Sequence, residues 1–343
     1  MNRSQSAAPS KSHFVSDANR RNESLDKVDQ SVKLESTRKD MVVIGATIID
    51  IFGATDESIE DDKGHTYKAK ITQKCGGVGY NHASALHRLG VSTEFLSAIG
   101  GDHNASFVKE SSYHMDLQRV AVIEDIPTAC HISVLERGNV KLGLGQIQQA
   151  AYAISPELIK SNERIVSTSS LVLMDGNLSA EAMKTVCLMS QFYGIPVWYD
   201  PTDKRYWRKV FEAGVWPLLQ MISPNEWEFE TLTDFLKLGE VELTSEAFSH
   251  LDVVVLTKGA AGITTLDRLD GEQNVDSYPS PVEKHEVVSA SGAGDCLNVG
   301  YIAGWLRGMD KQGRNQLALR CAAESLRSRE NVPASIASLI DSS

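Results

Sequence analysis

From Met41 onward the chain alternates strand-like and helix-like hydrophobic patterns, and that alternation restricts the fold more than any other feature. Val42–Ile51 (VVIGATIIDI) is an apolar, β-branched run suited to a strand buried on both faces of a parallel sheet. Leu171–Asp175 reads as another strand, followed by a helix over Ala180–Tyr193 that Gly194 stops and a strand over Pro196–Asp200. That is a βαβ unit. Glu94–Ile99, Leu219–Ser223 and Val253–Thr257 add strands. Asn81–Leu89 with Gly90 at its end, the stretch from Asn225, Ala293–Leu306 and Arg314–Arg327 add helices. The pattern predicts an α/β fold: a doubly wound, mostly parallel sheet flanked by helices.

Two stretches break that rhythm. Asp56–Thr72 and Pro127–Gly145 alternate like hairpins, with Cys130–Leu135 and Asn139–Leu144 on either side of Arg137-Gly138. They predict a small β-sheet lid, near 56–72 and 127–145, that would exclude water from reacting phosphates, or else plain edge strands. Residues 1–40 differ again, with ten apolar side chains against 8 basic and 6 acidic ones. Too little apolar surface is present to offset chain entropy, so a disordered tail is expected ahead of one domain over 41–343. Asp17, Glu23, Asp26 and Asp29 disfavour a mitochondrial presequence, and the segment has no apolar stretch of the secretory type.

With 34 basic and 45 acidic side chains the net charge is −11, which argues against non-specific capture of nucleic acid or acidic membranes. No apolar run approaches the roughly 18 residues of a membrane span. Five scattered cysteines without a C-x-x-C pair predict a reduced, cytoplasmic chain with neither a disulfide framework nor a zinc site. The nine histidines include no H-E-x-x-H, and His82 and His87 stand five apart, the wrong spacing for one helix face. No structural metal is expected.

The strongest local signal is Ser291-Gly292-Ala293-Gly294-Asp295 at the start of an apolar helical stretch. Backbone N–H groups at a helix start, aided by the dipole, hold an anion such as a phosphoryl group. Asp295 on the first turn could accept a proton from an attacking hydroxyl, or be an ordinary first-turn acid after a glycine turn. No G-K-[ST] follows, so this is not a Walker A loop. In Gly77-Val78-Gly79-Tyr80-Asn81-His82, His82 stands where a dinucleotide fingerprint needs its third glycine. Gly76 and Gly77 permit close backbone approach, and Asn81 offers a donor and an acceptor to sugar hydroxyls. Taken alone, that segment reads better as a tight turn with Asn81 as N-cap. Asn225 and Glu228 have capping-box spacing, while Glu228 equally suits a hydrated Mg²⁺. Thr257, Gly259 and Gly262 mark a strand end and a glycine turn. Asp50 ends the first strand, where open α/β sheets bind ligands and where turn formers also stand.

Together and in this order, these residues resemble the PfkB (ribokinase-like) family of small-molecule kinases, from about Met41 to Val332. The resemblance implies a doubly wound sheet with a small β lid and ATP-dependent phosphorylation of a primary sugar hydroxyl. It makes Asp295 the general base and the N–H groups of Gly292, Ala293 and Gly294 the anion hole. It assigns Asp50, Gly76, Gly77 and Asn81 to the sugar, with Asp175 a further sugar or base contact. Asn225, Thr257, Gly259 and Gly262 would serve ATP, and Glu228 would organise Mg²⁺ through water. Lid sheets in this family often pair, which implies a homodimer through Cys130–Leu135.

Within the family, detail resembles the pseudouridine kinase branch. The matching stretches are Gly76-Gly77-Val78 with Asn81-His82-Ala83, Asp175-Gly176-Asn177-Leu178-Ser179, Val197-Trp198-Tyr199-Asp200-Pro201-Thr202 and Ser325-Leu326-Arg327-Ser328 ahead of Val332-Pro333. The implied reaction turns ATP and pseudouridine into ADP and pseudouridine 5′-phosphate. Three departures stand out. Ser289-Ala290 replaces a usual Asp-Thr, so a K⁺ site of the kind several members form keeps only neutral oxygens. Gln146 stands where related kinases often carry Asp, and Val78 where ribokinases usually have Lys. Another nucleoside or sugar kinase, ribokinase- or adenosine kinase-like, is the neighbouring reading. A catalytically silent nucleotide-binding module is the distant one, opposed by intact Asp295, Asn225 and Glu228.

Overall fold

The computed structural model describes residues 41–60, 64–239 and 241–340; the expected tail, residues 1–40, lies outside them. Seven strands come first: β1 (Met41–Ile44), β2 (Ile48–Thr55), β3 (Lys70–Gly76), β4 (Thr93–Gly100), β5 (Val120–Ile123), β6 (Ala129–Glu136) and β7 (Asn139–Gln146). Then follow β8 (Leu171–Asp175), β9 (Val197–Asp200), β10 (Met221–Ile222), β11 (Val253–Thr257), β12 (Ile263–Asp267) and β13 (Asn274–Tyr278). The longer helices are α1 (Val78–Arg88), α2 (His103–Ser111), α3 (Ala180–Tyr193), α4 (Glu226–Phe235), α5 (Ala293–Leu306) and α6 (Lys311–Leu326).

Among the described residues nine strands form one sheet in the order β13-β12-β11-β10-β9-β8-β1-β4-β5. From β5 across to β11 all neighbours are parallel, and β12 and β13 close one edge as an antiparallel ribbon. The chain leaves β1 toward β4 but leaves β8 toward β9, so the winding reverses between β1 and β8. Crossovers part at such a point and leave a crevice beyond the carboxyl ends of the strands. Successive side chains feed two cores. Met41, Val43, Leu173 and Trp198 face the side that holds Tyr301 of α5 and Leu317 of α6. Val42, Ile44, Met174 and Tyr199 face the side that holds Val186 of α3 and Trp207. Burial of both faces is why these strands read as continuous apolar runs. Among the described residues no helix is long and apolar enough to cross a membrane.

Among the described residues four strands make a separate small sheet, β3-β2-β6-β7. Its β6–β7 hairpin turns at Arg137 and Gly138, both in the left-handed region at φ 49° and 83°, the geometry that matches strand twist in two-residue turns. Two expectations are corrected here. The single strand expected over Val42–Ile51 is two: β1 ends at Ile44 and β2 starts at Ile48 in the small sheet. After Ile44 the chain leaves the ladder because the Ala46 N–H donates to the Asp175 carboxylate at 2.9 Å. Asp50 therefore sits within β2 instead of at the end of a main-sheet strand. Of the hairpin expected over 56–72, among the described residues only Lys70–Thr72 is strand, as the start of β3; its antiparallel partner is β2. The apolar run is unbroken because Ala46 and Thr47, in the gap, are buried too.

Candidate active site

Helix α5 begins at Gly292, which is left-handed at φ 81°. A side chain there would strike the Asn331 carbonyl, so glycine is required twice over, by conformation and by space. Ala293 and Gly294 follow, lining an apolar cavity of about 200 Å³ together with Thr257, Gly259, Gly262 and Leu319. Thus the glycine-rich helix start and the turn after β11 face the same space. Asp295 comes next, its side chain 13% exposed. Burial pushes its carboxyl up to about 7; a hydrogen bond from Asn81 opposes that, and the charges of Asp175, Asp50 and Glu228 add to it.

Asn81 donates to Asp295 Oδ2 at 2.6 Å. It is not the helix cap: α1 starts three residues earlier, at Val78, with Gly77 as an N-cap that supplies no side-chain bond. Asp175 replaces that bond. Its Oδ2 accepts from the Gly79 N–H and the Ala46 N–H, both at 2.9 Å, and Asn177 donates to it as well. A buried acid at the positive end of α1 satisfies N–H groups that the glycines leave open. Asp175 is 1% exposed with both oxygens engaged, so it frames the start of α1. Asn81 is thereby released from capping and faces Asp295.

In the small sheet Lys74, Asp50, His131 and Gly145 stand in one cross-strand row. Burial pushes the Asp50 carboxyl up to about 6, opposed by the charges of His131 and Lys74. His131 Nδ1 lies 3.8 Å from Asp50 Oδ1. Gly76 is glycine because any side chain there would collide with the Asp50 carboxylate. His131, Gly143, Gly145, Gln146, Arg205 and Tyr206 surround a further cavity of about 550 Å³.

Asn225 and Glu228 form a capping box at α4: Asn225 Oδ1 accepts from the Glu228 N–H at 2.9 Å and Glu228 Oε2 from the Asn225 N–H at 2.8 Å. The box fixes the Glu228 side chain, which is 6% exposed and pushed up to about 7 by burial. Glu228 also lines a cavity of about 380 Å³ with Asp203, Lys204 and Arg205. Asn225 also bridges to Thr257. A hard cation that keeps most of its waters fits one such carboxylate.

Three further residues reach this place without having been assigned a role from the sequence: His82, Asp200 and Asn298. Asn298, one turn beyond Asp295 on α5, donates to Asp200 Oδ2 at 2.8 Å and to Ser223 Oγ at 2.9 Å. Burial holds the Asp200 carboxyl well above the usual carboxylate range, with Asp295 and Glu228 adding to it. Its signal was the strand-end position of an acid in Val197–Asp200. A buried acid at a helix start, backbone amides at that start and an apolar slot beside them are the parts a phosphoryl transfer needs.

The comparisons agree with this geometry. Residues 38–335 match the pfkB family carbohydrate kinase model. The pseudouridine kinase of Escherichia coli (strain K12) is 26% identical, over 82% of this chain and 90% of that protein. The pseudouridine kinase of Arabidopsis thaliana is 23% identical, over 85% and 92%. A structure of Arabidopsis thaliana ribokinase complexed with ribose and ATP superposes with a TM-score of 0.70 at 19% identity, over 88% of this chain and 99% of that one. The winding of the sheet, the separate small sheet and a family match across nearly the whole domain lead to one conclusion: the chain belongs to the pfkB family of carbohydrate kinases and has the ribokinase-like fold.

Proposed function

We propose that this kinase phosphorylates pseudouridine at its 5′-hydroxyl, with ATP as donor and Mg²⁺ as cofactor. The observation that carries the mechanism is the Asn81–Asp295 hydrogen bond, which joins the sugar-side glycine motif to the acid beside the anion-binding helix start. The acceptor hydroxyl lies against Asp295, whose raised pKa near neutrality suits a base that must take a proton at pH 7. Asn81 holds that carboxylate in place while Asp50, Gly76 and Gly77 face the ribose. The N–H groups of Gly292, Ala293 and Gly294 stabilise charge on the transferring oxygens, and the α5 dipole adds to them. Asn225, Thr257, Gly259 and Gly262 serve the nucleotide, whose base enters the apolar cavity beside Leu319. Glu228 would hold Mg²⁺ through water, and the ion would there neutralise phosphate charge.

The choice of pseudouridine is supported by two relatives bearing that name and by the cavity at Gln146 and His131, which offers an amide and an imidazole to a uracil edge. Ser289 Oγ already accepts from the Ser291 N–H, and both side chains are neutral, so turnover independent of K⁺ is expected. The small sheet exposes Ile71, Leu142 and Leu144 on its far face, a surface suited to pairing with a second copy. The five free cysteines fit a reducing, cytoplasmic setting. ADP release with Mg-ATP across pseudouridine, uridine, adenosine, ribose and fructose is the test. Strong preference for pseudouridine is the expected result, and preference for any other acceptor overturns the substrate.

A further inference from the structure

His82 is fully buried on α1, and neither of its ring nitrogens has a hydrogen-bond partner. Its Nε2 lies 3.5 Å from Asp200 Oδ2 and 3.8 Å from Asp295 Oδ1. Groups this buried are almost always satisfied, so an orphaned imidazole aimed between two carboxylates calls for a missing partner. Asn81 and Asn298 each give their NH₂ group to one of the two carboxylates, and the Oδ1 of each is buried without a donor. A cation placed where the three atoms converge would satisfy the imidazole and both carboxylates at once.

The geometry points to a site for a divalent first-row transition ion, with Zn²⁺ as the type case, held by His82 Nε2 and one carboxylate oxygen each from Asp200 and Asp295. Bonds of about 2.0–2.1 Å to nitrogen and oxygen give tetrahedral edges of about 3.4 Å, close to the two nitrogen–oxygen separations. The three ligand atoms lie within 4.8 Å of one another, so a small side-chain rotation completes the set. Three protein ligands leave a fourth position for water. The two amide NH₂ groups orient the carboxylates, as outer partners do in built metal sites. An imidazole ligand selects Zn²⁺, Co²⁺ or Ni²⁺ over Mg²⁺, which prefers oxygen. This site is distinct from the Mg²⁺ position at Glu228. If Asp295 is the general base, as proposed above, the ion occupies its free oxygen and blocks turnover.

The test is binding by the full chain, freed of metal. Co²⁺ is titrated and followed by its visible d–d absorption, and Zn²⁺ affinity is measured against a chromophoric chelator. One equivalent bound at micromolar or tighter affinity is expected, with His82→Val and Asp295→Asn each weakening it by at least about tenfold. Circular dichroism melts establish that each variant folds; should His82→Val not fold, Asp295→Asn and Asp200→Asn decide. Wild-type binding no tighter than millimolar, or unchanged affinity in the folded variants, overturns the site. A second readout addresses blocking. Micromolar Zn²⁺ should inhibit the wild type at constant Mg-ATP, with His82→Val at least about tenfold less sensitive; equal sensitivity overturns the blocking role. The binding result stands whether or not pseudouridine proves to be the acceptor.

Discussion

Asn81 Nδ2 and Asp295 Oδ2 are 2.6 Å apart although 214 residues separate them in the chain. The bond ties the start of α1, which rises beside β1 and β8, to the first turn of α5. It exists because Asp175 satisfies the start of α1 from a third element, so Asn81 does not have to cap its own helix. In the transfer reaction proposed for this site, the base would thus be positioned by a side chain of the glycine motif assigned to the acceptor.

Asp295→Asn keeps the shape of the side chain and removes the proton acceptor. Turnover should fall by about 10²–10⁴, the usual contribution of a general base, while calorimetry finds nucleotide affinity within a factor of about three. Near-wild-type turnover would exclude Asp295 as the base.

The pH profile follows from the same group. Asp295 must be ionised to act, so the rate should rise through about pH 7, where its carboxyl titrates. The bond from Asn81 favours the charged form; Asn81→Ala removes it and should move the limb of the kcat profile to higher pH. A limb that stays in place or moves to lower pH would show that Asn81 does not act on this carboxylate.

Stability has the opposite slope. A carboxyl whose pKa is raised on folding favours the folded state below its unfolded pKa near 3.8, and that contribution is lost as pH rises through about 7. Asp295→Asn lacks the loss. Its Tm relative to wild type should therefore climb between pH 5 and pH 8, and a constant difference in thermal melts would contradict the burial of the charge.

Glu228 has two separable duties. Glutamine also closes a capping box, so Glu228→Gln should keep Tm within about 2 °C, a change worth less than about 1 kcal/mol. It should nevertheless need more Mg²⁺ to reach half-maximal rate. Glu228→Ala should lose both, with the broken cap costing about 0.5–2 kcal/mol. An unchanged Mg²⁺ requirement in Glu228→Gln would leave the residue with the cap alone.

Ala290 is exposed at the mouth of the apolar cavity lined by Thr257 and Leu319. Ala290→Trp should fill that space and raise KM for ATP by at least about tenfold, since a drug-sized base depends on such apolar burial. KM for the acceptor and Tm should hardly change. A rise in acceptor KM instead would place the nucleotide elsewhere.

The chain's own pattern determined the layers, the βαβ unit through Gly194, the helix opened by Gly292-Ala293-Gly294 and the Asn225–Glu228 box. Each is written in a few neighbouring residues, where periodicity, glycine and capping chemistry act locally. Tertiary structure alone decided that Val42–Ile51 is cut in two, that Asp50 stands in the small sheet, that Asp175 caps a helix and that His82 meets Asp200 and Asp295. Both ends of the cut strand are apolar, so hydrophobicity could not show the break. The acids and the histidine meet only where crossovers part at the ends of β1, β8 and β9, which brings α1 and α5 together over residues that share no local pattern.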